Sequence, residues 1–377
     1  MPAFPTYGPN ELDALESVAA AVLGVFAAHG YTRHEPAVLQ PAQIFVDRSG
    51  EEIRRRTYEL SDPSGRELCL RPDLTIPTCK WQVDSGNPYP ARLCYHGLAF
   101  RHEPGDGQFY QAGAELLGLA DRAAGDVEMM ALAVEAMRAG GVGEFDMIVG
   151  DLALFATLVD ALDVPAQWRG RLKRHFWRTG YFEALLARMV AGEASEAQRA
   201  IEALRGLKLM ELKPAIENLI EREGEAPLGG RTRQDVIERL MIQACDATTP
   251  RLDAGVADLI TKFLKVSGPG EIALEQIREL TKPIAADMVR PLAAMADRLN
   301  ALKTMGVPPE RVRFVAHFGR ALEYYTGFVF EFWTRAGEVG GGGRYDTLME
   351  SLGAPRGTKA VGCAIRTERL LKARALA

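Results

Sequence analysis

The chain changes texture twice, and this limits the folds open to it more than any single motif does. From about residue 33 to 118, short apolar pieces such as ELCLRP and ARLCYHGLAFRHE alternate with Pro, Gly and Asp turns. That alternation predicts antiparallel strands and hairpins. Residues 165 to 300 carry helical periodicity instead, in WRGRLKRHFWRTGYFEALLARMV and RQDVIERLMIQA, with breaks at APLGGR and SGPGE. Strand texture returns in RVRFVAHF and GFVFEFWT. The glycine run GEVGGGGRYD, a strand AVGCAI and a short helix ERLLKARAL follow. β-rich ends around a helical middle imply one discontinuous α+β domain. Its parts are expected at 1–160 and 301–377, with a mostly helical insertion at 165–300.

Finer signals fill in the frame. After Pro9, the residues Leu12, Leu15, Val18, Val22, Leu23 and Phe26 recur at helical spacing, with Asn10 as a cap, Asp13 three positions on and Gly30 closing the helix. A second helix is expected around 126–139, then a buried strand in EFDMIVGD, where Asp151 can cap the helix that follows.

Composition narrows the function classes. With 47% hydrophobic and 25% charged residues, the 377-residue chain sits in the soluble globular range. A net charge of -5 supplies no basic excess for a surface devoted to nucleic acid. The five cysteines are scattered, odd in number and never C-x-x-C, so a reducing compartment fits better than a disulfide framework or a zinc site. The opening MPAFPTYGPNELD has neither the basic nor the apolar region of a signal peptide, and no apolar run is long enough for a bilayer. A cytoplasmic protein is expected. The six histidines, His96 and His317 among them, show no ligand spacing, and no nucleophilic triad emerges.

Four stretches can carry chemistry, and each has a plainer reading beside it. In LRPDLT, Asp73 and Thr75 can orient an ammonium group, or Pro-Asp can simply make a turn. In FRHEPGDGQFYQAGAELLG, Arg101 and Glu103 leave a strand, and Gln111 and Glu115 return on the next with Gly113 between them on one face. That face is either the floor for a small polar ligand or a solvent-facing strand of alternating polarity. The run 340–343 suits backbone that approaches a ligand or another strand, or a flexible hairpin loop; the phosphate-loop signature is absent. In AIRTERLL, Arg369 sits where a strand gives way to a helix, placed either to hold an anion or on a helix surface. RALEYYTGFVFEF adds a fifth cluster, in which Arg320, Tyr324 and Tyr325 precede an apolar strand.

Taken in order, these stretches resemble the class II aminoacyl-tRNA synthetase core of the histidyl type. LRPDLT is similar to LRPE-x-T, FRHE with YQAGAE to motif 2, RALEYYTGFVFE to RGLDYYT-x-x-VFE, GGGGRYDTL to GGRYD-x-L, and AVGCAIRTERL to motif 3. GYTRHEPAVLQPAQIF keeps the frame of motif 1, with Pro36 one residue early. The resemblance covers roughly 8–160 and 295–377. It departs where ATP and tRNA are handled. The motif 2 loop is shortened to PGDGQF. Arg366 replaces a small glycine, so that a guanidinium intrudes where an adenine face should stack. The chain as given runs eight residues past Arg369, and on the resemblance no anticodon-binding domain is expected.

A synthetase core with its amino-acid pocket kept and its ATP site compromised resembles the regulatory subunits of ATP phosphoribosyltransferase, the first enzyme of histidine biosynthesis. The resemblance implies a non-catalytic subunit with an antiparallel sheet flanked by helices. It implies a homodimer assembled with short-form catalytic subunits into a hetero-octamer, with free histidine as effector and no cofactor, metal, tRNA or membrane partner. Carried over by motif, Asp73, Thr75 and Gln111 would meet the α-ammonium of histidine. Glu115 with Tyr325 would address the imidazole, Arg320 would pair with the carboxylate, and Tyr324 would line the pocket or pack beneath it. Arg101 and Arg369 would remain as anion-binding remnants. Asp73 is one carbon shorter than the glutamate of the synthetases. A glycine-rich loop closing over histidine is one candidate for the moving element. Two other readings share these residues: an active histidyl-tRNA synthetase core, and a free-standing histidine sensor.

Overall fold

A computed structural model of the chain describes residues 4–46, 53, 55–103, 107–176, 178–191, 251–319 and 324–376. The chain divides into two compact units, one of residues 1–158 with 263–377 and the other of residues 159–262.

The first unit is built on a nine-stranded mixed sheet. In chain order its strands are β1 (Thr32–Arg33), β5 (Ala91–Phe100), β6 (Gln108–Leu117), β7 (Asp146–Asp151), β8 (Ser267–Pro269), β9 (Val312–Val315), β10 (Phe328–Thr334), β11 (Gly337–Arg344) and β12 (Ala360–Arg366). A small sheet holds β2 (Leu39–Pro41), β3 (Glu59–Ser61) and β4 (Glu67–Leu70). The large sheet runs β1-β5-β6-β12-β11-β10-β7-β9-β8, parallel only at β1/β5 and β7/β9. The predicted antiparallel strands are therefore present and come from both ends of the chain.

Helices Pro9–Ala28, Arg122–Ala139 and Thr367–Ala375 pack on one another and on this sheet. The first begins two residues earlier than expected. Gly8 stands at its N-cap and Pro9 at its first position, where the missing N–H costs nothing; Gly30 follows it at φ 79°. Asp151 does cap as predicted, accepting from the Ala153 N–H at 2.9 Å.

The glycine run departs from the hairpin-loop expectation. Gly340–Gly343 form the interior of β11, paired to β10 on one side and β12 on the other. Phe328, Phe330 and Phe332 alternate along β10, and a Cβ at Gly342 would press on the Phe330 ring and the Gly362 carbonyl. The run is thus a strand that lets its neighbours lie against bare backbone, and it cannot also be a loop that closes over a ligand.

The helical segment also divides differently from the 165–300 expectation. Helices Gly270–Leu280 and Ala285–Thr304 cluster with the sheet, and SGPGE supplies the edge strand β8. Periodicity identifies a helix but not the body it packs on. Ala273, Leu274 and Ile277 turn the apolar side of the first helix inward, and it contacts β8 and β9. In the second unit, helices Ala166–His175 and Thr179–Ala191 bury Trp168, Leu172, Phe182, Leu185 and Met189. RQDVIERLMIQA lies outside the described residues. No helix among the described residues is long and apolar enough to cross a membrane.

A buried ionic cluster pins the helices to the sheet. Asp126, fully buried, accepts from Arg298 at 2.7 and 2.9 Å and from Arg344 Nε at 2.7 Å; Arg298 also donates to Asp151 at 2.8 Å. Removing one member strands charge in a low-dielectric interior, so Asp126→Ala is expected to destabilise the unit by about 3 kcal/mol in urea unfolding. An effect near zero would show that the two arginines find other partners.

Candidate functional site

The sheet carries a hollow, and its origin is a column of small residues. Register places Tyr95 of β5 opposite Gly113 of β6, Glu115 of β6 opposite Gly362 of β12, and Gly113 opposite Ala364. A Cβ at Gly113 would overlap the Tyr95 hydroxyl, and one at Gly362 would overlap the Glu115 carboxylate. Each large polar side chain therefore lies over a glycine of the next strand, which is where it finds room. The expectation that Gly113 leaves space between Gln111 and Glu115 holds, and the space belongs to a tyrosine.

The hollow is a cavity of about 210 Å³. Asp73, Thr75, Arg101, Gln111, Glu115, Tyr324, Tyr325 and Arg369 all line it, so eight residues singled out from sequence converge on one site. Arg320 lies outside the described residues, as does part of the motif 2 turn at 104–106.

Glu115 is the centre of the hydrogen bonding. The Tyr95 hydroxyl donates to its Oε1 at 2.9 Å, and the Tyr345 hydroxyl donates to its Oε2. Tyr95 Oη is itself 3.2 Å from Thr75 Oγ1 and accepts from Gln111 Nε2 at 3.2 Å. Burial pushes the Glu115 carboxyl up to about 7, against the hydrogen bonds from Tyr345, Thr75 and Tyr95, which favour the charged form.

Asp73 follows β4 and precedes the helix Thr75–Ser85. One carboxylate oxygen accepts from the Ile76 N–H at 3.1 Å, so the turn reading is correct as far as it goes. The other oxygen, Oδ2, is buried and has no hydrogen-bond partner among the described residues. Burial raises this carboxyl, and the Arg101 guanidinium works against the rise. A buried carboxylate oxygen without a donor is costly, and a ligand donor would relieve that cost.

Tyr324 is buried and packs against Tyr325 and Tyr345, with ring centroids 4.9 and 5.6 Å away. Arg101 donates to the Pro72 carbonyl at 2.8 Å, and Arg369 to the Glu338 carbonyl at 2.9 Å. Arg366 lies with its guanidinium carbon 3.8 Å from the Phe109 ring centroid.

Sequence reading missed Tyr345, Arg56, Glu331 and Glu338, which line the cavity, and Tyr95, which supports it by its hydrogen bond to Glu115. The signal for Tyr95 was its place on the same alternating face as Gln111 and Glu115, one strand over. Tyr345 follows the glycine run in GGGGRYDTL, where the motif match assigns the tyrosine no role.

Proteins of known family match this chain over most of its length. The histidyl-tRNA synthetase family matches residues 4–229 and 216–370. A protein of Brucella anthropi named ATP phosphoribosyltransferase regulatory subunit is 33% identical over 89% of this chain and 91% of its own. One of the same name from Chelativorans is 32% identical over 95% and 97%. Among solved structures, an ATP phosphoribosyltransferase regulatory subunit/histidyl-tRNA synthetase from Bacillus halodurans superposes with a TM-score of 0.69 at 22% identity, covering 98% of this chain and 81% of that one. Histidyl-tRNA synthetase from Nostoc gives 0.63 at 17% identity, over 98% and 73%. The sheet and its helices are thus the class II synthetase-like fold.

The Glu115 carboxyl has a direct thermodynamic consequence. Its value rises from 4.5 to about 7 on folding, so the folded chain holds a proton that the unfolded chain has released between those values. Stability should therefore fall as pH rises through that window, by up to about 3 kcal/mol from this group. Glu115→Gln, which cannot ionise, should flatten the melting temperature between pH 5 and 8. An unchanged slope would assign the pH dependence to other groups.

Proposed function

The chain belongs to the family of ATP phosphoribosyltransferase regulatory subunits, of histidyl-tRNA synthetase type, and from that premise we propose that it binds free histidine in the Glu115 cavity. Binding would confer feedback inhibition on a separate, short-form catalytic subunit that the chain otherwise activates. The observation that carries this reading is the pairing of two buried carboxyls in one cavity: Glu115 under two tyrosine hydroxyls, and Asp73 with an oxygen that lacks a donor.

The chemistry fits an amino acid with a basic, planar side chain. Asp73, Thr75 and Gln111 offer acceptors to an α-ammonium. Glu115 accepts from an imidazole N–H, and Tyr325 lies on the wall beside it. Arg320 supplies the partner for the carboxylate, in the charge-assisted geometry that suits a guanidinium. Asp73 is one carbon shorter than the glutamate of the synthetases, and the Ile76 N–H holds its carboxyl at the start of the helix Thr75–Ser85.

Inhibition then follows from linkage. Histidine can inhibit the partner only if the inhibited assembly binds it more tightly than the active one. The chain would act as a homodimer within a hetero-octamer in the cytoplasm, without a reaction of its own.

The test is ATP phosphoribosyltransferase activity of the short catalytic subunit, with and without this chain and with and without histidine. Activation that histidine reverses is the expected result. No effect of either addition would overturn the reading and turn attention to histidine-dependent pyrophosphate exchange. Glu115→Ala should weaken histidine at least about 100-fold in calorimetry, since the imidazole loses a buried, charge-assisted acceptor. Equal affinity in the variant would remove Glu115 from the pocket assignment.

A further inference from the structure

Tyr95 is fully buried behind the cavity wall, yet its hydroxyl meets three residues that form that wall. Glu115 Oε1 lies 2.9 Å away, Gln111 Nε2 3.2 Å and Thr75 Oγ1 3.2 Å. A phenol hydroxyl has one proton and two lone pairs, so these three partners use all of its capacity. How that capacity is shared decides which atoms face a ligand.

Counting protons settles the sharing. An ionised carboxylate only accepts, so the Tyr95 proton goes to Glu115. The Tyr95 oxygen is then left to accept from the Gln111 N–H and the Thr75 hydroxyl. With the Gln111 amide turned the other way, its carbonyl would face an oxygen that has no proton to give. Thr75 has a single proton, and Tyr95 Oη and Glu115 both draw it to their side.

Each of these bonds has a consequence on the cavity side. Having given its N–H to Tyr95, Gln111 turns its Oε1 away from that hydroxyl, and Thr75 offers the cavity lone pairs only. Asp73 adds Oδ2, buried and without a donor among the described residues. On the reading of this cavity as an amino-acid site, we propose that Tyr95 is a positioning residue that polarises its ammonium end. One hydroxyl behind the wall holds Thr75 and Gln111 as acceptors, so that with Asp73 they take a cationic α-substituent and refuse one that cannot donate. Tyr345 makes the contrast, since its hydroxyl reaches the other oxygen of Glu115 and the Cys79 thiol. Two tyrosines therefore support one carboxylate, and Tyr95 is the one that joins it to Thr75 and Gln111.

The experiment measures binding by calorimetry at pH 8, where Glu115 is ionised, with thermal melting as the check on folding. The ligands are L-histidine and imidazolelactate, which carries a hydroxyl in place of the ammonium. The proteins are the full-length wild-type chain, Tyr95→Phe and Tyr345→Phe. In Tyr95→Phe the Gln111 amide can turn and give its N–H to the lactate hydroxyl, while the ammonium loses an oriented acceptor. The preference for histidine over imidazolelactate should therefore drop about tenfold, the scale of one hydrogen bond to a charged group. Tyr345→Phe should weaken both ligands alike and keep the preference. A tyrosine with a merely structural role would also weaken both ligands alike, so a parallel loss in Tyr95→Phe overturns the proposal. An equal drop in preference in Tyr345→Phe overturns it too. Should Tyr95→Phe fail to fold, the wild type decides through a second pair of ligands. The α-fluoro analogue of imidazolepropionate can accept but not donate, and it should bind more weakly than imidazolepropionate itself. Equal or tighter binding would mean that the amide offers its N–H to the ligand, and overturns the proposal. A wild-type chain that binds no histidine overturns the amino-acid reading and this proposal with it. Histidine binding with an unmoved preference in Tyr95→Phe overturns this proposal alone.

Discussion

The site depends on two carbon atoms that are absent. Glu115 can lie buried across the sheet because Gly362 opposite it has no Cβ, and Tyr95 can reach Glu115 because Gly113 has none. In most antiparallel sheets the directly opposed pair is what stabilises the pairing, through packing of two side chains. Here that packing is given up at successive positions, and polar groups fill the space from the neighbouring strand. The result is a floor whose polar atoms are fixed by backbone register, so their positions follow from the sheet and not from a loop.

Such a floor needs rigid support, because a one-residue slip would turn Glu115 to the other face. The support lies directly behind it. Arg344 ends β11 and points to the helix side, where Asp126 joins it to Arg298. Its neighbour Tyr345 donates to Glu115 on the cavity side. Adjacent residues on one chain thus belong to the buried ionic cluster and to the site. Arg298 stands on the helix Ala285–Thr304, so the cluster joins that helix to the strand end from which the tyrosine projects. A buried ion pair is weak evidence for stability in itself. Its value here is geometric, since it fixes where one helix meets the strand that carries Tyr345.

The sequence made the strands and most of the cavity legible because both depend on local pattern. Period-two alternation placed Gln111, Gly113 and Glu115 on one face, and the ordered motifs brought Asp73, Thr75, Arg101, Tyr324, Tyr325 and Arg369 to the same site. What stayed hidden is set by partners distant in the chain. A run of four glycines has no side chains to show a strand period, so approach to another strand and a hairpin loop read equally well, although β10 and β12 flank β11 on both sides. Tyr95 has no motif of its own, and its role comes from lying opposite Gly113. Helices Gly270–Leu280 and Ala285–Thr304 show the right period, but their assignment to the sheet follows from contacts of the first with β8 and β9 and from the bond of Arg298 to Asp151 of β7, which spacing does not reveal.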